Sequence, residues 1–312
     1  MKFAVVAHRH SATNDALVAA ARACGFESEL VDPPGALTSL ESGDVALARL
    51  DVREGLDGIE RGTGELERLA VGGVDVRNPP AALVVAHDKL LTARTLRHAG
   101  LPHPHTTLIS PTLPVVAPEL PRVLKPRFGS WGRDVELCTT AEELEAALVR
   151  LQAKPWFREH GALAQELVEL RGWGLEAPAV WPSAPGRKTA AATGGRRWDL
   201  RLVVAGGRVV GAARRIARKG EWRTNAALGA QVEPVEPPPL ARALALAAAR
   251  AARIDLVGVD LLPTRGGFVI LELNGAVDFR PVYAPLRDVF ADAVAALLEE
   301  TVGRRELAAA SV

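Results

Sequence analysis

GVDLLPTRGGFVILELNGAVDF, residues 258–279, contains two apolar runs split by Gly266-Gly267. Aliphatic runs of strand length around a two-glycine turn predict an antiparallel hairpin, Leu256 to Pro263 against Phe268 to Asn274. With the turn centred near Gly266, Asp260 falls opposite Glu272, and Glu272 shares a face with Asn274 because side chains alternate along a strand. Three oxygen donors would then converge in a hairpin with no plainly solvated face: Phe268 and Ile270 lie on one side, Val269, Leu271 and Leu273 on the other. Paired carboxylates are costly to bury without a cation. Mg²⁺ suits such donors, with Mn²⁺ the alternative, since it takes one or two carboxylates and completes its shell with water and substrate phosphates. The competing reading is a polar patch on a surface hairpin.

Upstream, a second hairpin is predicted, Asp199 to Ala205 against Arg208 to Ile216 around Gly206-Gly207. It opens a basic constellation, Arg201, Arg214, Arg215, Arg218, Lys219 and Arg223, followed by Thr224 and Asn225. Guanidinium forks suit phosphate or carboxylate groups, and an exposed basic strand is the alternative. Ala-rich helices near Pro239 to Arg253 and Arg287 to Glu300 separate and follow the hairpins. Further back, strands near Arg122 to Pro126 and Asp134 to Leu137 flank a glycine-bearing basic loop, Arg127 to Arg133, and Thr140 with Glu143 writes a capping box for the next helix. Lysine is scarce in this chain, so Lys125, running from a strand into that loop, is a candidate for phosphate oxygens; a solvent-facing strand end is the bland alternative. The first 80 residues alternate strands and helices in βαβ order, which implies a parallel sheet, and Asn78, Pro79 and Pro80 interrupt regular structure before a helix from about Asp88 to Gly100.

The chain has 312 residues, 48% hydrophobic and 24% charged, which excludes disorder and suggests more than one domain. With 38 Lys plus Arg against 37 Asp plus Glu, the net charge of +1 supplies no general drive towards nucleic acid or acidic membranes. The apolar run before His8 is too short for a secretory signal, and no uncharged apolar stretch is long enough to span a membrane. Cys24 and Cys138 form no CxxC pair and read as small packing residues, so a cytoplasmic setting is the simplest. His8 with His10, and His103 with His105, are weak metal signals. Leu170 to Arg197 has no sustained period and reads as a long loop, either a lid or acceptor-binding loop or a variable insertion.

Six stretches in this order resemble the ATP-grasp superfamily, specifically its RimK-type and LysX-type carboxylate-amine ligases. They are NPPAALVVAHDKLLTARTLRHAGLPHPHT from Asn78, VLKPRFGSWGRDVEL from Val123, AQELVE from Ala164, DLRLVVAGGRVVGAARR from Asp199, EWRTNAALGA from Glu221 and GVDLLPTRGGFVILELNGAVDF from Gly258. The resemblance implies an α/β chain, α+β in its C-terminal part: an ATP-grasp fold preceded by a small Rossmann-like domain that usually helps bind the acceptor. The expected divisions are 1–80, a central subdomain 81–160, a C-terminal subdomain 161–303 and a tail 304–312.

By position, the resemblance implies that Lys89 and Lys125 contact ATP phosphates under a loop containing Gly129, Ser130, Trp131 and Gly132. Glu166, Leu167 and Val168 would form the adenine hinge, and Asp199 would lie near the ribose. Arg201 and Arg215 would lie near phosphate or acyl phosphate, with Arg223, Thr224 and Asn225 beside the nucleotide and the transferred group. Asp260, Glu272 and Asn274 match the metal triplet. Trp131 would either shield the site from water or merely pack.

The implied activity joins an amino acid, such as glutamate, to a small-molecule or carrier-bound acceptor through an acyl phosphate, with ATP and Mg²⁺ as cofactors. Phosphoryl transfer needs positioning and charge neutralisation rather than a protein nucleophile. An ATP-grasp kinase and an ATP-binding regulatory or scaffold protein are the other readings. Dimers and tetramers are common in the resembling family. Leu228 departs from its pattern, standing where many relatives carry a basic residue, so substrate contacts there do not transfer.

Overall fold

The computed structural model describes residues 1–113, 119–168 and 196–309, and three sheets form among them. The first is parallel: β1 (Lys2–Val6), β2 (Glu27–Val31), β3 (Val45–Ala48) and β4 (Asp75–Arg77) lie in the order β2-β1-β3-β4, linked by α1 (Ala12–Ala23), α2 (Pro33–Ser39) and α3 (Thr63–Val71). Alternation fills both faces. Phe3, Val5, Val45 and Leu47 pack with α1 in one core, while Ala4, Val6, Ala46 and Ala48 join Leu66 and Leu69 of α3 in another. Buried on both sides, such strands read as continuous apolar runs, as these do.

Regular structure resumes at Pro80, well before Asp88. Pro80 is the first residue of a helix, α4 (Pro80–His87), because a proline at that position loses no helical hydrogen bond and carries a suitable φ. Asp88 then caps α5 (Lys89–His98), accepting from Leu90 N at 3.0 Å and Leu91 N at 3.3 Å. The central sheet contains β5 (Thr106–Ile109), β6 (Arg122–Pro126), β7 (Glu136–Cys138) and, after α6 (Ala141–Gln152) and α7 (Pro155–His160), β8 (Ala162–Glu166), in the order β5-β8-β6-β7. Thr140 and Glu143 form the predicted capping box at α6. Because β8 pairs with β5 and β6, we propose placing the second domain boundary after residue 166 rather than after 160.

The third sheet holds β9 (Trp198–Ala205), β10 (Arg208–Ile216), β11 (Gln231–Pro234), β12 (Leu256–Thr264) and β13 (Gly267–Asn274), in the order β11-β10-β9-β12-β13. Both predicted hairpins form, but the second turns at Arg265-Gly266, with Thr264 opposite Gly267, and Asp260 comes to stand opposite Glu272 through a one-residue register shift between Asp260 and Leu261. Leu200, Leu202 and Val204 of β9 pack beneath α8 (Pro239–Ala252), whereas Val203 and Ala205 face the core shared with α1 and α9 (Val289–Ala309). Arg201 and Asp199 continue that second face towards the cleft end of the strand. Helix α9 runs to 309, so residues from 304 to that point are helical rather than a separate tail. Of the stretch read as a long loop, Leu170 to Arg197, all but Arg196 and Arg197 lies outside the described residues. No helix among the described residues is long and apolar enough to cross a membrane.

Candidate active site

Side chains of the central and C-terminal sheets line one cleft of about 970 Å³, counting its part open to solvent. That places it at the upper end of ordinary small-ligand pockets. The cleft brings together Lys89, Lys125, Gly129, Ser130, Trp131, Gly132, Glu166, Leu167, Val168, Asp199, Arg215, Arg223, Thr224, Asn225, Asp260 and Glu272. Arg201 and Asn274 are not among its lining residues. Val123, Val135, Gln165, Arg197, Trp222, Leu262 and Leu271 line it as well, unsuspected from the sequence. Strand alternation could have found Val123, two residues before Lys125, and Leu262, two after Asp260. Leu271 could not be found that way, because a register shift after Asp260 opposes Leu261 to Ile270 and brings Leu271 and Glu272 to the cleft together.

The basic constellation divides by face. Arg214 pairs with Glu233 of β11 at 2.6 Å and is absent from the cleft lining, whereas its neighbour Arg215 faces inward. Arg215 forks onto Asp199, donating from Nε to Oδ1 at 2.7 Å and from Nη2 to Oδ2, and Nη2 also reaches Asp260 Oδ2 at 2.8 Å. Arg201 forks onto Asp260, 2.7 Å at both contacts. The guanidinium expected near phosphate is therefore engaged by the metal-triplet aspartate. Asp199, expected near the ribose, is fully buried with its oxygens taken by Arg215 and the Thr224 hydroxyl. Burial pushes the Asp199 carboxyl up. Burial acts the same way on Asp260, but the Arg201 and Arg215 guanidiniums outweigh it and hold that carboxyl well below the usual range.

Around the predicted phosphate loop, Lys89 Nζ donates to Gly129 O and lies 3.6 Å from Glu272 Oε2. Asp88, besides capping α5, accepts both nitrogens of the Arg127 fork at 2.8 and 2.6 Å, so the loop starts from a fixed point beside that helix. Arg223 donates to Gly132 O at 2.8 Å and is gripped by Glu221 at 3.0 and 2.9 Å. That grip, with backbone N–H groups, brings the Glu221 carboxyl down to about 2. Gly132 has φ +70, and a Cβ there would stand 3.0 Å from Asn225 Oδ1, so the loop approaches Asn225 as only glycine allows. Trp131 is 47% exposed, with the Arg9 and Arg133 guanidiniums 5.9 and 5.4 Å from its ring centroid.

Among the remaining candidates, His8 contacts Arg61 O at 2.7 Å and His10 contacts Asp15 at 2.7 Å, both away from the cleft lining. Cys138 is buried as expected, but Cys24 is exposed at the end of α1 and is not a packing residue.

A family model for RimK-like ATP-grasp domains matches residues 190–287. A probable alpha-L-glutamate ligase of Thioalkalivibrio sulfidiphilus (strain HL-EbGR7) is 30% identical over 275 residues, covering 83% of this chain and 82% of that protein. The chain belongs to the RimK-like ATP-grasp family. It is an ATP-dependent ligase that joins a carboxylate to an amine. Two solved structures share the RimK-like fold. The RimK domain protein ATP-grasp from Sphaerobacter thermophilus DSM 20745 has TM-score 0.63 and 22% identity, covering 96% of this chain and 100% of its own. The ATP-grasp ligase PsnB complexed with minimal precursor, Mg and ADP has TM-score 0.62 and 17% identity, covering 96% and 98%.

The side chains of this RimK-like site fit a hard divalent cation. Asp260 is held ionised with both oxygens accepting from guanidiniums, Glu272 is part-exposed opposite it, and Asn274 has a buried amide nitrogen with no hydrogen-bond partner among the described residues. An amide whose nitrogen is held by none of the described residues can turn its oxygen to a cation, and two carboxylates with one amide oxygen make an all-oxygen donor set.

Proposed function

We propose that ATP occupies the cleft with its base at the Glu166–Val168 hinge and its phosphates between Lys89, Lys125 and the Gly129–Gly132 loop. Asp260, Glu272 and Asn274 would hold Mg²⁺, or Mn²⁺ in its place, whose charge would offset that of the phosphates. A carboxylate oxygen of the acid substrate attacks the γ-phosphorus, the bond to the ADP oxygen breaks, and an acyl phosphate forms. An amine then attacks the acyl carbon, inorganic phosphate leaves, and the nitrogen sheds a proton as the amide forms. Arg215 and Asn225 face this exchange from the cleft wall, while Arg201 acts behind them through Asp260. The amino acid attached is of the glutamate type, supported by the name of the Thioalkalivibrio relative, and the acceptor is a small molecule or a carrier-bound group. A cytoplasmic enzyme with two free cysteines fits this reading.

The observation that carries the proposal is that both lysines, the glycine loop and the two carboxylates of the triplet line the same cleft. The test is ADP release from MgATP with pooled amino acids and carboxylates, with products weighed by mass spectrometry. Release that needs both an amine and a carboxylate and yields an amide mass is expected. Product that forms without amine and carries a phosphate mass would replace the ligation scheme with a kinase. Glu272→Gln is the better inactive control, because Asp260 carries two buried guanidiniums and its removal threatens the fold.

A further inference from the structure

The HxH pair at His103 and His105 has no part in the scheme above, and the structure gives its first histidine a partner. Lys125 is only 5% exposed, and among the described residues its Nζ makes one hydrogen bond, to Gln165 Oε1 at 2.8 Å. Gln165 is 3% exposed and lies on β8 opposite Thr106 of β5 and Val123 of β6. Alternation puts Lys125 on the same face as Val123, so Gln165 and Lys125 are diagonal neighbours on the cleft face.

The amide orientation is determined by its surroundings. Its oxygen must face the ammonium, which only donates, so Nε2 points the other way and donates to Thr106 Oγ1 at 2.9 Å, with His103 Nε2 at 3.4 Å as a longer second acceptor. His103 Nδ1 donates to Ile270 O at 2.7 Å, which leaves Nε2 with its lone pair and sets the tautomer. Thr106 Oγ1 donates to Pro104 O at 2.9 Å and is free to accept. Ile270 N in turn donates to Pro102 O at 2.9 Å. Donation therefore runs from the Lys125 ammonium to Gln165 and from Gln165 to Thr106 and His103, and His103 in turn donates to Ile270 O of β13, the strand of Glu272.

The chemistry of the partner matters. Arg201, Arg215 and Arg223 each meet a carboxylate that cancels their charge, whereas Lys125 is held by a neutral amide. An amide fixes the position of an ammonium and leaves its charge for a ligand; a carboxylate at that distance would neutralise it. We propose that Gln165, oriented by Thr106 and His103, is a positioning residue that presents the charged Lys125 head to nucleotide phosphates. This rests on the nucleotide reading of the cleft given above.

The test compares adenosine, ADP and MgATP binding to the full-length protein by calorimetry. Gln165→Met, close in volume but without an acceptor, is expected to weaken MgATP about tenfold while leaving adenosine unchanged, as loss of a hydrogen bond to a charged group would. Thr106→Val, which removes the acceptor of the Gln165 amide from a part-exposed strand, is expected to act in the same direction more weakly, and it carries the test if Gln165→Met does not fold. A purely structural role would weaken adenosine and MgATP equally, and that result overturns the proposal, as does a wild-type phosphate preference in Gln165→Met. Wild-type protein that binds adenosine with no gain from phosphates removes the phosphate role of Lys125 itself, a failure of the earlier reading that is distinct from failure of the relay.

Discussion

Burial, with the nearby Lys89 charge adding to it and Glu272 opposing, pushes the Lys125 ammonium down to about 8. Phosphate oxygens favour the charged form, so nucleotide binding should raise that value again. Near pH 7 the lysine is already protonated and binding takes up almost no proton, whereas near pH 8.5 binding takes up a fraction of one and affinity falls as pH rises. Calorimetry in two buffers of different ionisation enthalpy measures the uptake, and Lys125→Met should abolish it. Asp260 gives a second contrast. Asp260→Ala leaves the Arg201 fork and the second contact of Arg215 Nη2 without their carboxylate in a buried setting, a change that costs about 3–5 kcal/mol where a single partner of a buried pair is removed. Glu272→Gln, at a part-exposed position, should leave the melting temperature within a few degrees while abolishing turnover. Equal melting temperatures for the two variants would contradict the arginine clamp.

The two hairpins were legible because their turns carry glycine and their strands are rich in aliphatics, whereas the Asp260 to Glu272 pairing, expected from a turn centred at Gly266, is made by a register shift beside Asp260 that no count from the turn contains. Their two-glycine turns are not interchangeable along their length. Gly206 has φ +50 and a Cβ there would lie 2.2 Å from the backbone oxygen of Ala296 in α9, whereas Gly207, at φ +71, has nothing within 4 Å. Gly206→Ala therefore meets both strain and an immovable carbonyl and should cost more than about 2 kcal/mol, while Gly207→Asn, a residue that tolerates this conformation, should cost under about 1 kcal/mol. Urea unfolding of the two variants separates them. Among the elements that escaped the sequence is α4, since Pro79-Pro80 punctuates a chain and starts a helix with the same letters, and only the packing of Ala82, Leu83 and Ala86 decides which. The Gln165 relay was illegible for another reason: Thr106 and Lys125 come from strands that meet β8 only through non-local pairing, and His103 is fixed by a strand edge 167 residues away.

The N-terminal sheet and the β12–β13 hairpin are joined through buried groups. Arg49, at the end of β3, donates to Val277 O at 2.8 Å beyond β13, and His87, at the end of α4, lies where a Cβ on Gly275 would come within 3.0 Å of its Nε2. Burial, reinforced by the charges of Lys89 and Arg49 and opposed by Asp51, pushes His87 down to about 4. Burial and the Lys125 charge do the same to His103, to about 4. Between pH 6.5 and about 4 the unfolded chain then binds protons at these two positions that the folded chain refuses, so stability rises with pH across that window. Their contribution is fully present above about pH 6.5, the ordinary value for the imidazole, and is lost as pH falls towards 4, on the order of 3 kcal/mol for each histidine. Urea midpoints at pH 7.0 and 5.0 should therefore differ markedly for the wild-type protein, and less for His87→Gln, which keeps a polar side chain but removes one titration. A variant whose midpoint falls by the same amount as the wild type would show that His87 does not titrate on unfolding, and the acid sensitivity of the junction would then belong to other groups.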